Sequence, residues 1–326
     1  MTYSEFSLIE HFFKDRGVRR SDVALAIGDD AAITQVPAGF QLVTTVDTLV
    51  NGVHFPADSE PYDVGHKALA VNLSDLAAMG AGPAWATLAL TLPAVDENWL
   101  QCFCDGFFAQ ADAFNVQLIG GDTTQGPLSV TVQMMGLVPE GKAIRRSGAK
   151  SGDRIFVSGT IGDAALGLRI HQRQLAPHNL TTQQTQALCA KLYRPAPRVA
   201  LGMALRDIAT AMIDISDGLA ADLIHILDAS QAGATIHVER VPLSEILQAL
   251  GKSIDCMPAV LGGGDDYELC FTVPEHRVPI VAWLSQQLSI NVTEIGVINE
   301  KTGLQILRNG VEIKLLGHGF EHFASP

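Results

Sequence analysis

Strand-like and helix-like patterns of apolar residues follow one another along the sequence. Alternating apolar and polar residues, or a short apolar run, predict a strand, whereas apolar residues three or four positions apart predict a helix. The first part of the chain is predicted to form strands at 41–48, 85–92, 116–119 and 128–138 and helices at 61–79 and 98–115. This mixture predicts a mixed α/β (α+β) fold.

A polar, glycine-containing stretch at 140–153 interrupts these patterns. Beyond it, strand patterns and helix patterns again follow one another, at 154–168, 211–227, 268–273 and 291–298. Asn309-Gly310 lies between two short runs and predicts a β-hairpin. We therefore expect two domains, comprising residues 1–147 and residues 148–326.

The charge of the chain limits its partners. The 326 residues have a formal net charge of −13, and no run of basic residues is present. Nucleic acid and anionic membranes are recruited by Lys and Arg clusters, so neither is an expected partner. A site for phosphates would need something other than bulk charge to attract them.

Neither a membrane span nor a secretion signal is predicted. Residues 76–95 are uncharged and long enough to cross a bilayer, but Gly80, Gly82, Pro83 and Pro93 interrupt them. The N-terminus lacks the basic start and long apolar run of a signal peptide. The five cysteines contain no CxxC pair and are expected to be buried free thiols. These features predict a cytoplasmic protein.

Aspartates recur at the predicted ends of strands and helices. The segments are GDD (28–30), VDT (46–48), NLSD (72–75), GGDTT (120–124), DISDG (214–218) and GGGDDYE (262–268). One such segment usually marks a turn or a helix cap, but six with few basic neighbours favour a shared function. Converging carboxylates repel one another unless divalent cations lie among them, and hard oxygen ligands favour Mg²⁺ over zinc.

The apolar run AIGDDAAI, residues 26–33, places Asp29 and Asp30 side by side. Burying an ionised carboxylate is costly unless it is paired or bound to a metal. We therefore expect this pair to lie in a metal site. On the predicted helix, Asn72 and Asp75 are three residues apart, share a face and are expected to point into a common site.

Other nucleotide-binding motifs fit poorly. GKS at 251–253 lacks the preceding glycine of a phosphate loop, because Ile246 stands at that position. No GxGxxG fingerprint is present. The acidic segments are therefore the main candidates for function.

Seven segments carry a family resemblance, in this order: IGDDAA, VDTLVNGVHF, KALAVNLSDLAAMGA, LIGGDTT, RSGAKSGD, DISDGL and GGDDYELCF. They resemble the thiamine-monophosphate kinase family, which belongs to the superfamily typified by aminoimidazole ribonucleotide synthetase and selenophosphate synthetase. The resemblance runs from about Phe6 to His322. NGVHF, NLSDLAAMGA and GGDDYEL are the segments most specific to the kinase.

The resemblance implies ATP-dependent phosphorylation of thiamine monophosphate to thiamine diphosphate. It also implies a two-domain fold similar to that of aminoimidazole ribonucleotide synthetase. The N-terminal domain would bind metal and ATP, and its sheet would pair with that of a second subunit in a homodimer. The C-terminal α/β domain would complete the active-site cleft.

The same resemblance suggests individual site residues. Those that resemble magnesium ligands are Asp30, Thr45, Asp47, Asp75, Asp122, Asp214 and Asp217. Those that resemble ATP contacts are Gly121, Asp122, Arg146 and Ser216, and those that resemble contacts to thiamine monophosphate are His54, Asp265 and Phe320. The expected catalytic residues among them are Asp30, Asp75, Asp122 and Arg146.

Three positions depart from the family pattern. Val46 stands where a small hydroxyl residue is expected, so a contact there has to use the backbone. Asp265 stands where glutamate is common, and its carboxylate reaches less far. Phe320 replaces a tyrosine or tryptophan, which keeps stacking but removes a polar group.

Two alternatives stay open from the residues alone. One is another ATP-using enzyme of the same superfamily, although selenophosphate synthesis calls for a reactive cysteine or selenocysteine near the start, and residues 1–27 contain no Cys. The other is a non-catalytic sensor that keeps a Mg–ATP pocket. Loss of the metal-binding acids would favour the sensor, and none is lost here.

Overall fold

The computed structural model of the protein describes residues 4–174 and 180–314. The chain divides into two compact units. The first consists of the described residues of Met1–Leu76 and Ala81–Gly141, and the second of the described residues of Ala77–Gly80 and Lys142–Pro326. The ranges 1–147 and 148–326 stay a sequence-based prediction.

Three helices and six strands start within the described part of the first unit. They are α1 (Glu5–Phe12), β1 (Val23–Leu25), β2 (Ile33–Thr34), β3 (Phe40–Val50), α2 (Pro61–Ala78), β4 (Gly82–Leu92), α3 (Glu97–Ala113), β5 (Gln117–Gln125) and β6 (Ser129–Pro139). The strands and helices predicted between residues 41 and 138 are all present, with shifted ends.

The main sheet of the first unit has the strand order β3-β6-β4-β5. β6 runs antiparallel to both β3 and β4, whereas β4 and β5 are parallel. Along β6, Val130, Val132 and Met134 are fully buried and alternate with partly exposed residues. One face of the sheet is therefore part of the core, as alternation requires.

Helix α3 shows how the local sequence defines an element. The Asp96 carboxylate accepts hydrogen bonds from the backbone N–H groups of Asn98 and Trp99 at 2.9 and 3.0 Å, which caps the helix N-terminus. Leu100, Phe103 and Phe107 follow at helical spacing and are fully buried. The cap fixes where the helix starts, and the apolar stripe fixes the face that it buries.

The elements of the second unit again mix strands and helices. They are β7 (Arg154–Ser158), α4 (Asp163–His171), α5 (Thr182–Tyr193), α6 (Val199–Ala204), β8 (Ala211–Asp214), α7 (Leu219–Ser230), β9 (Gly233–His237), α8 (Glu245–Leu250), α9 (Met257–Gly262), β10 (Leu269–Val273), α10 (Val278–Leu288), β11 (Val292–Asn299), β12 (Gly303–Arg308) and β13 (Val311–Glu312). Val238–Arg240 and Glu275–Arg277 form single 3-10 turns.

The sheet of the second unit has the order β13-β12-β9-β11-β7-β10-β8. β12 and β9 are parallel, and the other pairs are antiparallel. Strand β10, which lies between β7 and β8, is buried throughout. The hairpin predicted at Asn309-Gly310 is confirmed, since it joins β12 to β13.

Two expectations from the sequence are wrong in detail. GGDTT does not follow a strand but lies inside β5. The five cysteines are free, but Cys102 is exposed and Cys189 is half-buried; the other three are buried. Cys102 differs from buried Cys104 because it lies off the apolar stripe of α3. None of the described helices has the length and apolar composition of a membrane span.

Candidate active site

The first unit contains a cavity of about 730 Å³ beside strand β5. Three of the candidate residues, Asp30, Gly121 and Asp122, line it. They reach it from two segments that are far apart in sequence, the loop between β1 and β2 and strand β5. The fold therefore brings together residues that the sequence linked only by resemblance.

The cavity is lined by both apolar and acidic residues. Phe6, Ile9 and Phe13 of the N-terminal segment line it at helical spacing, together with Leu118 and Ile119 of β5. The acidic lining residues are Glu5, Glu10, Asp29, Asp30 and Asp122, and the basic residue among the described lining residues is Lys14. Such a lining can contact both a flat apolar group and a cation.

The segment that carries Asp29 and Asp30 is not buried. Gly28, Asp29, Asp30 and Ala31 are all exposed, and the Asp30 backbone N–H donates to Asp29 Oδ1 at 2.8 Å. The expectation that this pair bears a burial cost is therefore wrong. The apolar residues around the pair are at most half-buried, so the exposure of Asp29 and Asp30, and not a metal, suffices to tolerate the two charges.

Close packing between strands β4 and β5 requires a glycine at position 121. It lies opposite Leu88 of β4, and a Cβ atom on Gly121 would stand 1.9 Å from the Leu88 carbonyl oxygen. Its φ of 156° is also one that other residues rarely adopt. The close backbone approach expected here is thus an approach to β4 and needs no ligand to explain it.

A second group of candidate residues lies at the opposite edge of the sheet. The Thr45 hydroxyl of β3 donates a hydrogen bond to Asp75 Oδ2 of α2. Asp47 follows Thr45 by two residues and so lies on the same face, opposite the buried Val132. The side-chain carbonyl oxygen of Asn72 is buried and accepts no hydrogen bond among the described residues. These groups are oxygen donors, as Mg²⁺ prefers.

The two groups of the first unit are separated by the width of the sheet. Asp47 lies on β3 and Asp122 on β5, with β6 and β4 between them. Three strand spacings correspond to about 14 Å, so one ion cannot contact both carboxylates in one copy. In agreement, no three His, Cys, Asp or Glu side chains in the described parts of the chain form a group that could hold a metal ion.

His54 lies in the loop after β3. Its Nδ1 accepts a hydrogen bond from the Val50 backbone N–H at 3.0 Å, and its backbone carbonyl accepts from the buried Lys67 ammonium at 3.2 Å. Because Nδ1 is an acceptor, the neutral ring carries its proton on Nε2. These two contacts hold the His54 loop against β3 and α2.

In the second unit, Asp214 ends strand β8, and Ser216 and Asp217 lie on the loop between β8 and α7. The backbone N–H groups of Ser216, Asp217 and Gly218 all donate to Asp222 Oδ2, at 3.0, 3.0 and 3.1 Å. Burial raises the pKa of Asp222 to about 7, although these amides lower it. Asp222 did not stand out in the sequence, because an aspartate in the first helical turn usually interacts only with the helix N-terminus.

The loop that carries Asp265 lies directly against the loop that carries Ser216. The Asp265 backbone N–H donates to the Ser216 carbonyl at 2.9 Å, and the Tyr267 N–H donates to the Ile215 carbonyl at 2.8 Å. A Cβ atom on Gly264 would stand 2.2 Å from the Ser216 carbonyl oxygen. The motifs DISDG and GGGDDYE, about fifty residues apart in sequence, therefore form one continuous surface.

Behind the Asp265 loop lies a hydrogen-bonded network that the sequence did not reveal. The buried Glu268 carboxylate accepts from Arg198 Nε and from the Ser158 hydroxyl, both at 2.6 Å. Both oxygens of Asp266 accept from the Gly162 N–H, at 3.0 and 2.9 Å, and desolvation raises the pKa of Asp266 well above its usual range. Only the tertiary structure reveals these contacts, since the residues come from three separate segments, 158–162, 198 and 266–268.

Arg146 is exposed and forms no ion pair with any residue in 4–174 or 180–314. Its carbonyl accepts from the Ser230 hydroxyl at 3.3 Å, and that hydroxyl also accepts from the Gly148 N–H at 3.1 Å. The backbone at Arg146 is thus held by hydrogen bonds, while its guanidinium is exposed and has no ion-pair partner in the described residues. The last candidate, Phe320, lies outside the described residues.

Comparisons with known proteins decide the family. Two family models match, "AIR synthase related protein, N-terminal domain" at residues 28–138 and "AIR synthase related protein, C-terminal domain" at residues 150–308. The thiamine-monophosphate kinases of Salmonella typhimurium and Escherichia coli K12 are each 47% identical to this chain, over 100% of both partners. The chain belongs to the thiamine-monophosphate kinase family.

Solved structures agree. The thiamine-monophosphate kinase of Stenotrophomonas maltophilia matches with a TM-score of 0.83 and 49% identity, over 88% of this chain and 92% of that one. AaThiL complexed with AMPPCP and TMP matches with a TM-score of 0.77 and 31% identity, over 91% and 92%. The mixed α/β fold expected from the sequence is therefore confirmed as that of this kinase family.

The neighbouring glycines of β5 provide a test of the site's framework. We expect Gly121→Ala to lower the free energy of unfolding by about 1–3 kcal/mol, because its Cβ would overlap the Leu88 carbonyl. Gly120→Ala is the matched control, since no atom lies within 4 Å of its Cβ position. Urea unfolding measures both. Equal stability of the two variants would contradict the β4–β5 register.

Proposed function

We propose that this chain transfers the γ-phosphate of ATP to thiamine monophosphate, giving ADP and thiamine diphosphate. The observation that carries the proposal is 47% identity over full length to curated thiamine-monophosphate kinases. A structural relative described as complexed with AMPPCP and TMP adds support. The acids and the cavity described above supply groups suited to this chemistry.

The acceptor sets the demands on the protein. A phosphate monoester has a second pKa of about 6, so thiamine monophosphate is mostly dianionic at neutral pH. It needs no strong base to become a nucleophile. Phosphoryl transfer is then limited by the mutual repulsion of donor and acceptor, which positioning and charge neutralisation overcome.

We assign the nucleotide to the cavity of the first unit. Its apolar lining residues Phe6, Ile9 and Phe13 suit the adenine base, and Gly121 and Asp122 also line it. In the second unit, Ser216 and Arg146 are the proposed phosphate contacts. Arg146 suits that role because its planar guanidinium matches phosphate oxygens and has no ion-pair partner in the described residues.

Magnesium ions would be held by Asp30, Thr45, Asp47, Asp75, Asp122, Asp214 and Asp217. All of these offer oxygen atoms. Mg²⁺ is commonly bound by a few carboxylates together with substrate phosphates, and it keeps several waters. Because Asp47 and Asp122 lie about 14 Å apart on the sheet, the proposal requires several ions. When bound, such ions would neutralise the negative charge of donor and acceptor phosphates.

Thiamine monophosphate would contact His54, Asp265 and Phe320. The His54 ring is oriented by the hydrogen bond that its Nδ1 accepts from the Val50 backbone N–H. The Asp265 carboxylate suits the cationic thiazolium ring by charge, and the face of Phe320 suits it by cation–π contact.

A coupled assay for ADP release tests the proposed activity. We expect ADP to form only when ATP, Mg²⁺ and thiamine monophosphate are all present, with one thiamine diphosphate per ADP by chromatography. ADP release without thiamine monophosphate would indicate an ATPase instead. ATP binding without any turnover would indicate a sensor, and either outcome would overturn the proposal.

Asp75 tests the metal site. We expect Asp75→Asn to lower turnover by at least about 100-fold, on the order of 3 kcal/mol of barrier, because a neutral amide binds Mg²⁺ weakly. The variant should unfold at nearly the same urea concentration as the wild type. Any loss of stability should not exceed the contribution of the hydrogen bond between Asp75 and Thr45. Asp112→Asn, an exposed aspartate of α3, is the control. Turnover near that of the control would remove Asp75 from the metal site.

We also propose a cytoplasmic homodimer. Free thiols suit a reducing compartment. Strand β3 is an eleven-residue edge strand, and Leu42 and Val46 on one of its faces are 46% and 59% exposed. Long apolar edges of this kind invite pairing with a second chain.

Light scattering on the purified chain tests the dimer. We expect twice the mass of one chain for the wild type and a single-chain mass for Leu42→Glu, because a charge on this face opposes burial. Trp283→Glu, which alters an exposed apolar residue of α10, should stay dimeric. A wild type of single-chain mass would refute the dimer.

A further inference from the structure

Asp222 gathers three successive backbone N–H groups onto one oxygen atom. The donors are Ser216, Asp217 and Gly218, at 3.0 to 3.1 Å from Oδ2. Asp222 is itself held in place, since its own N–H donates to the Gly218 carbonyl at 3.0 Å and its side chain is 2% exposed. The loop and the first turn of α7 therefore fix each other.

Successive N–H groups that converge in this way form the kind of concavity that binds anions in other proteins. Here the anion is the chain's own carboxylate. These three amides are consequently not available to a phosphate. The loop can offer a ligand only its side chains and its remaining carbonyl oxygens.

Ser216 illustrates the consequence. Its N–H donates to Asp222, and its carbonyl accepts from the Asp265 N–H at 2.9 Å. Both of its backbone groups are thus used inside the protein. A contact between Ser216 and a nucleotide has to come from its hydroxyl, whose direction depends on the backbone that Asp222 holds.

An ionised carboxylate is better suited to this task than a neutral side chain. Charged acceptors make shorter and stronger hydrogen bonds than neutral ones, and a single oxygen here serves three donors. Asparagine would keep the shape but would offer a weaker acceptor. Alanine would leave three N–H groups without a partner in the interior, which is costly.

We propose that Asp222 is a positioning residue of the kinase reaction, which sets the orientation of Ser216 and Asp217 toward magnesium and nucleotide. This inference rests on the proposed function. Asp222 touches neither substrate nor metal in this role. It acts through the backbone of the loop.

The test compares Asp222→Asn and Asp222→Ala with Asp228→Asn, an exposed aspartate of the same helix. We expect Asp222→Asn to fold, to lower kcat by about 10- to 100-fold and to raise the half-activating Mg²⁺ concentration by a similar factor, as loss of a group supporting metal ligands typically does. The KM for thiamine monophosphate should change less than about twofold. Asp222→Ala should lower kcat further than Asp222→Asn does, and the Asp228→Asn control should match the wild type.

Hydrogen exchange of the amides at 216–218 separates this inference from the proposed function. We expect faster exchange in both Asp222 variants, whether or not the wild type is a kinase. Unchanged exchange would overturn the positioning role. Lower stability of the variants with unaltered kcat and Mg²⁺ dependence would also overturn it. Failure of both variants to fold would do the same, since Asp222 would then serve folding alone. A wild type without kinase activity but with the exchange effect would refute the proposed function instead.

Discussion

Repulsion between like charges limits where this chain can place its carboxylates. With a net charge of −13, acids that share a small volume would oppose folding unless cations separate them. The candidate acids of the first unit are accordingly spread over the loop before β2, strand β3, helix α2 and strand β5. Each belongs to a different segment of the first unit.

The second unit uses carboxylates in another way. Asp222, Asp266 and Glu268 point into the protein and accept hydrogen bonds from backbone amides, from Arg198 and from Ser158. These hydrogen bonds connect loops within the second unit. Asp266, for example, holds the start of α4 through the Gly162 N–H.

Much of the fold could be predicted because it depends on local patterns. The alternation in β6, the stripe on α3 and the Asn-Gly turn at 309–310 each act over a few residues, and each produced the element expected. Burial was less predictable. The run AIGDDAAI has the composition of a core segment, yet none of its residues is buried: Gly28 to Ala31 and Ile33 are exposed, and the other three are half-buried.

The sequence by itself determined the family, the order of the elements and the acids that are candidates for metal binding, because these reside in short motifs and in identity over the whole chain. Only the tertiary structure decided which candidates are neighbours. It brought Asp30 to Asp122, joined Thr45 to Asp75, and kept Asp47 three strands away from Asp122. The physical reason is that such distances are set by strand order and register, which arise from pairing between segments far apart in the chain.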